Sequence, residues 1–164
     1  MTSEVAVVQH ESVGDTVLAG ALAGAIGGAL LLAGAMTAAA MGGMDILSPI
    51  RLIGATFLGS GALEGGAATV AFGLTIHMAA SIAWGILFAA ILPRVTSIAA
   101  ALVAGLAFGL VVMLLMLYLV LPLVNPVMHQ AVDGTNAFVF SHLLFGLALS
   151  LVPILRHRFA TRLD

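Results

Sequence analysis

Charged residues punctuate this chain so sparsely that their spacing alone lays out an architecture. Between Asp15 and Asp45, Glu64 and Arg94, Arg94 and Asp133, and Asp133 and Arg156, no Asp, Glu, Lys or Arg interrupts the apolar and small residues. A helix needs roughly 20 apolar residues to cross a ~30 Å hydrocarbon core, and each of these four runs is long enough. The run between Arg51 and Glu64 is not. The pattern predicts spans over 16–42, 68–92, 97–121 and 136–155, with a short helix over 48–58 lying at the membrane surface. The fold class is therefore all-α integral membrane: a four-transmembrane-helix bundle with a surface helix between helices 1 and 2.

Local signals set the expected boundaries. Asp15 suits an N-cap beside a helix dipole that favours negative charge. Pro49 suits a first helical turn with Ser48 as cap, and Ile50, Ile53, Phe57 and Leu58 fall near one face of that surface helix. The second span ends at Pro93-Arg94, and the short link predicts that the second and third spans are antiparallel neighbours. Pro122 and Pro126 end the third span, and Pro153 sits in the last turn of the fourth. Residues 1–15 form a short N-terminal segment and 156–164 a basic amphiphilic tail.

Small residues recur at four-residue steps. Gly20, Gly24 and Gly28 mark the first span, Gly105 and Gly109 the third. Gly73, His77, Ser81 and Gly85 align along the second, and Phe138, His142, Gly146 and Ser150 along the fourth. Such spacing lets helix backbones approach closely in lipid, so these glycines and serines are expected to pack inside the bundle. The two halves also resemble each other: a span, then Ser48-Pro49-Ile50 or Asn125-Pro126-Val127, then a span with a histidine near its outer end. That order predicts two repeated helical hairpins about an axis along the membrane normal.

Composition agrees with this picture and narrows the function. Of 164 residues, 62% are hydrophobic and 7% charged, with a mean hydropathy of +1.24, whereas soluble domains carry about 25% charged residues. A soluble enzyme and a nucleic-acid binder are excluded. The absence of cysteine removes disulfides, thiolate metal sites and iron–sulfur clusters. The N-terminus lacks the positive region of a secretory signal, so the first span is expected to be retained. Arg94, Arg156, Arg158 and Arg162 share the side of both termini, with Arg51 opposite. Positive charge stays cytoplasmic, which places both termini in the cytoplasm.

His77 and His142 are the ionisable groups deep inside predicted spans, Tyr118 apart, at similar depths roughly 10 Å below the outer surface. Polar groups at such depth face the bundle interior and hint at function. Three readings follow. The pair could be axial ligands of a b-type haem, with Arg51 meeting its propionates and Phe72, Phe138 and Phe145 bordering it. With His129 the pair could make a three-histidine copper or zinc site, Asp133 or Glu64 supplying outer oxygens. Or each imidazole simply makes an interhelical hydrogen bond and binds no cofactor.

The stretch Ser48-Pro49-Ile50-Arg51-Leu52-Ile53-Gly54-Ala55, followed by His77 and by Trp84-Gly85 with Phe88, resembles small four-helix bacterial inner-membrane proteins of unknown function. The resemblance implies a four-span fold and a bacterial inner membrane, and carries no activity. With so little mass outside the bilayer, the expected role is a non-catalytic accessory subunit of a larger membrane complex of respiratory or photosynthetic type. Its partners would be lipid and other membrane subunits or further copies of itself. A haem electron carrier and a small transporter or channel are the alternatives.

Overall fold

The computed structural model describes residues 12–132 and 135–161. Most of the predicted N-terminal segment, together with Asp133 and Arg162, lies outside them. Every regular element among the described residues is helical, and four stretches are long and apolar enough to cross a membrane: Val13–Met41, Ala67–Ile91, Ile98–Val124 and Asn136–Ala160.

Helix α1 (Val13–Met41) starts earlier than Asp15 would place it. Ser12 is the N-cap: its Oγ accepts the Asp15 N–H at 3.1 Å, while Asp15 Oδ2 accepts the Ser12 N–H at 2.9 Å. Asp15 thus closes a capping box from the third helical position. Helix α2 (Ser48–Leu58) carries Pro49 in its first turn as expected, but it is Asp45 Oδ1, not Ser48, that accepts the leading Leu47 N–H, at 2.8 Å. Its buried face is Ile50, Gly54 and Ala55, whereas Phe57 and Leu58 point outward. A 3-10 turn over Ser60–Glu64 then leads into α3 (Ala67–Ile91).

The third long stretch does not stop before Pro122. Helix α4 (Ile98–Leu115) passes into a π-helical turn over Met116–Val120, in which the Leu121 N–H reaches back five residues to the Met116 carbonyl, and then into α5 (Leu121–Val124). The wider turn makes room for a proline ring that an unbroken α-helix would reject. After α6 (Pro126–Val132) the last stretch is α7 (Asn136–Leu149) and α8 (Val152–Ala160), broken at Ser150–Leu151 just before Pro153. The basic tail is therefore partly a continuation of the last long helix.

Helix α1 is central, packed against α3 on one side and α7 on another, while α4 rests on α7. The glycine stripes make these contacts. A Cβ on Gly20 would lie 2.7 Å from Ile86 Cα, one on Gly24 would lie 3.1 Å from Gly85 Cα, and one on Gly28 would lie 2.6 Å from Ser81 Cβ. Helices α4 and α7 also meet at glycines: a Cβ on Gly105 would lie 3.3 Å from Ser150 N, and one on Gly109 would lie 3.1 Å from Gly146 Cα. Gly73 is also a packing glycine, but its partner is α2, where Gly54 N and Ile50 Cγ2 leave no space for a side chain. Gly27 and Gly34, on the other face of α1, admit Phe145 and Ser141 of α7.

Helices α3 and α4, expected to be antiparallel neighbours, meet through side chains. Their backbones stay apart, joined through Trp84 and Phe88, whose rings meet Phe108 at 6.1 and 5.2 Å. The tightest core, with Phe88, Phe145, Leu149 and Val152, lies at this end of the bundle. There Arg156, 3% exposed, turns inward and donates to the carbonyls of Ala89, Leu92 and Pro93. A guanidinium at the C-terminal end of α3 satisfies carbonyls that have no helical partner and meets the negative end of the dipole.

Candidate functional site

The opposite end of the bundle, beneath α2, is looser. Asn125, 3% exposed, ties the two outer connections together: its Nδ2 donates to Leu52 O and to Thr56 Oγ1, both at 2.8 Å, and its Oδ1 accepts the Met128 N–H at 3.0 Å. Arg51 anchors the first connection, donating to Asp45 Oδ2 at 2.6 Å and to Gly65 O at 3.0 Å. Under this cover, where α3 and α4 diverge, a cavity of about 250 Å³ opens.

His77 from α3 and His142 from α7 both line that cavity. The stripes that seat α3 on α1 and α7 on α4 carry each histidine inward, because the residues four positions along are Ser81 and Gly146 at the helix contacts. His77 is 9% exposed and His142 4%. Each ring has one nitrogen committed: His77 Nε2 donates to Gly28 O and His142 Nδ1 to Phe138 O, both at 2.9 Å. Phe138 also stacks edge-on against the His142 ring, with centroids 4.4 Å apart. Neutral imidazole then presents a lone pair at the second nitrogen, Nδ1 on His77 and Nε2 on His142. A carbonyl that fixes the tautomer in this way is the usual outer support of a ligating histidine.

The remaining wall is apolar except for Ser81, Thr56 and Trp84, and includes Met116, Met128, Phe138 and Phe145. Among the described residues no Asp, Glu, Lys or Arg lines it. Phe72 is not part of it and pairs instead with Phe57 at 6.2 Å. His129 lies in the last turn of α6. Among the described residues no three His, Asp or Glu side chains gather as a metal-binding group, so the expected three-histidine site is not assembled there. The glycine faces of α1 and α4 are closed by helix contacts, as their spacing suggests, and Arg51 is engaged in its own connection.

A second cavity of about 410 Å³ adjoins the first between α1, α2, α6 and α7. Phe138 and Met128 belong to both walls. Ser141, 1% exposed, borders this one, and its Oγ has no hydrogen-bond partner among the described residues.

Outside the bundle interior, the exposed Asp45 carboxylate is held below its ordinary value of 3.8, first by the hydrogen bond from Arg51 and then by the Leu47 N–H. This pair organises the connection around α2 and does not reach the histidines' cavity.

Comparison with known proteins finds no matching family model, no matching curated protein and no matching solved structure.

Proposed function

We propose that the chain is a multi-pass protein of a bacterial inner membrane, built from two repeated hairpins with both termini cytoplasmic, and that it serves as a non-catalytic subunit of a larger membrane assembly. The four long apolar helices support the membrane setting, and the arginine distribution supports the orientation. The observation that carries the subunit reading is how the polar side chains are used. Asp15, Arg51, Asn125 and Arg156 each bond to groups of the same chain. The large side chains left outward along the spans are mostly apolar. Helix α4 rests on the α7–α8 stretch, and it and the turn after it leave Val103, Val111, Leu114, Tyr118 and Leu119 exposed. A tagged copy drawn gently from its native membrane is expected, by native mass spectrometry, to carry the 16.6 kDa chain in fixed stoichiometry with larger polypeptides. A chain that flies alone or only with copies of itself contradicts the reading.

The shared cavity supports a second reading, a ligand held between His77 and His142. Its volume of about 250 Å³ falls below the ~300–1,000 Å³ of pockets that bury drug-sized molecules, which favours something smaller than a haem macrocycle. For a transporter or channel, the apolar wall offers no continuous polar path.

A further inference from the structure

We propose that the cavity between α3, α4 and α7 is a binding site for a single soft monovalent cation, with the chemistry of Cu(I), held by the imidazoles of His77 and His142 and the thioethers of Met116 and Met128. The four side chains come from four separate elements and line one cavity. Both imidazoles are prepared for ligation: the carbonyls of Gly28 and Phe138 hold one nitrogen of each ring protonated and leave the other with its lone pair. Met116 opens the π-helical turn that interrupts the third long helix. Such single-turn bulges are rare and occur often at functional sites.

The identity of the ion follows from what the wall lacks. With no carboxylate among the described residues of the wall, and no cysteine in the chain, the ligands on view are all neutral. The cost of placing an ion in an apolar interior rises with the square of its charge, so a divalent ion without an anionic ligand is strongly disfavoured against a monovalent one. Thioether and imidazole together select Cu(I) among biological monovalent cations, since sodium and potassium require a shell of several oxygen ligands and this wall offers only the hydroxyls of Ser81 and Thr56. The adjoining cavity provides the approach. Met128 belongs to its wall too, as does Met44, 60% exposed on the outer connection, so thioethers mark a path from the surface to the histidines.

This inference does not rest on the subunit reading, because it concerns the isolated chain. The full-length protein, purified in detergent and freed of metal, is titrated anaerobically with Cu(I) in competition with bicinchoninate. The expected result is one Cu(I) retained per chain, with His77→Ala and His142→Ala each weakening retention at least about tenfold. X-ray absorption at the copper edge is expected to show nitrogen and sulfur neighbours. The sulfur should vanish in Met116→Leu/Met128→Leu, a double variant that conserves apolar volume and therefore the fold. Zn(II) at the same concentration should leave the bound Cu(I) in place. No retained copper, equal retention by a helical His77→Ala/His142→Ala variant, a copper shell without sulfur, or displacement by Zn(II) would each overturn the proposal.

Discussion

His77 Nε2 donates to the carbonyl of Gly28 at 2.9 Å, so the glycine stripe that seats α1 on α3 also decides which imidazole nitrogen faces the cavity. His142 is fixed the other way round, through Nδ1 to Phe138 O within its own helix. The two rings are therefore expected to be opposite tautomers. Long-range ¹⁵N–¹H correlation on metal-free protein at neutral pH should show His77 protonated at Nε2 and His142 at Nδ1. The same tautomer in both rings would contradict the arrangement.

The close helix contacts predict a steep penalty for a single methyl group. A Cβ on Gly24 would lie 3.0 Å from Ile82 Cα, and one on Gly146 would lie 2.9 Å from Leu106 Cα. Backbone atoms cannot rotate away, so Gly24→Ala and Gly146→Ala should each destabilise the fold by about 1–3 kcal/mol. Gly66→Ala has open space around it and should stay within about 0.5 kcal/mol of the parent. Unfolding in mixed micelles with dodecyl sulfate measures all three; a neutral Gly24→Ala would mean that α1 and α3 are not in this contact.

Asn125 performs two tasks that one substitution separates. Asn125→Asp keeps an oxygen for the Met128 N–H but loses the Nδ2 donor to Leu52 O and Thr56 Oγ1. The part-buried Leu52 carbonyl and the Thr56 hydroxyl then lose this donor, at a cost of about 1 kcal/mol, more if the new carboxyl ionises there. Hydrogen exchange should increase in α2 and α6 while the core around Phe88 and Phe145 stays protected. Unchanged exchange in α2 would exclude the bridge.

The outer connection should respond to acid. Asp45 is depressed below 3.8 in the folded chain by Arg51 and the Leu47 N–H, so its contribution is fully present above the unfolded value and is lost as pH falls below 3.8 through the folded value. The pair is exposed and screened, so the effect is local and weakens with salt. A carbon-detected NMR titration should place the Asp45 midpoint below 3.8, and Arg51→Gln should raise it. A midpoint that Arg51→Gln leaves in place would remove Arg51 as the cause.

Much of this architecture is legible in twelve charges and nineteen glycines. Charge spacing marks the four long helices because no other element can bury so long an apolar run, and four-residue steps of glycine mark the faces that meet. Arg156 was less legible: a basic residue after an apolar run looks like a tail, and only the fold brings the end of α3 within its reach. Gly27 and Gly34 were hidden because the stripe of Gly20, Gly24 and Gly28 accounts for only one of the two faces α1 uses. At the site, the histidines stood out as polar groups in apolar helices. Met116 and Met128 did not, since methionine is ordinary filling in such helices. Nothing in the local sequence tells which way a side chain points out of a π-helical turn.

On the subunit reading, the outward face of α4 meets another protein. Photo-crosslinking amino acids placed at Val111 and Leu119, both outward, and at Phe140 on α7 as an exposed comparison, test it within the native membrane. A discrete adduct with one larger polypeptide is expected from Val111 and Leu119, and none from Phe140. Adducts with lipid alone at all three positions would contradict it.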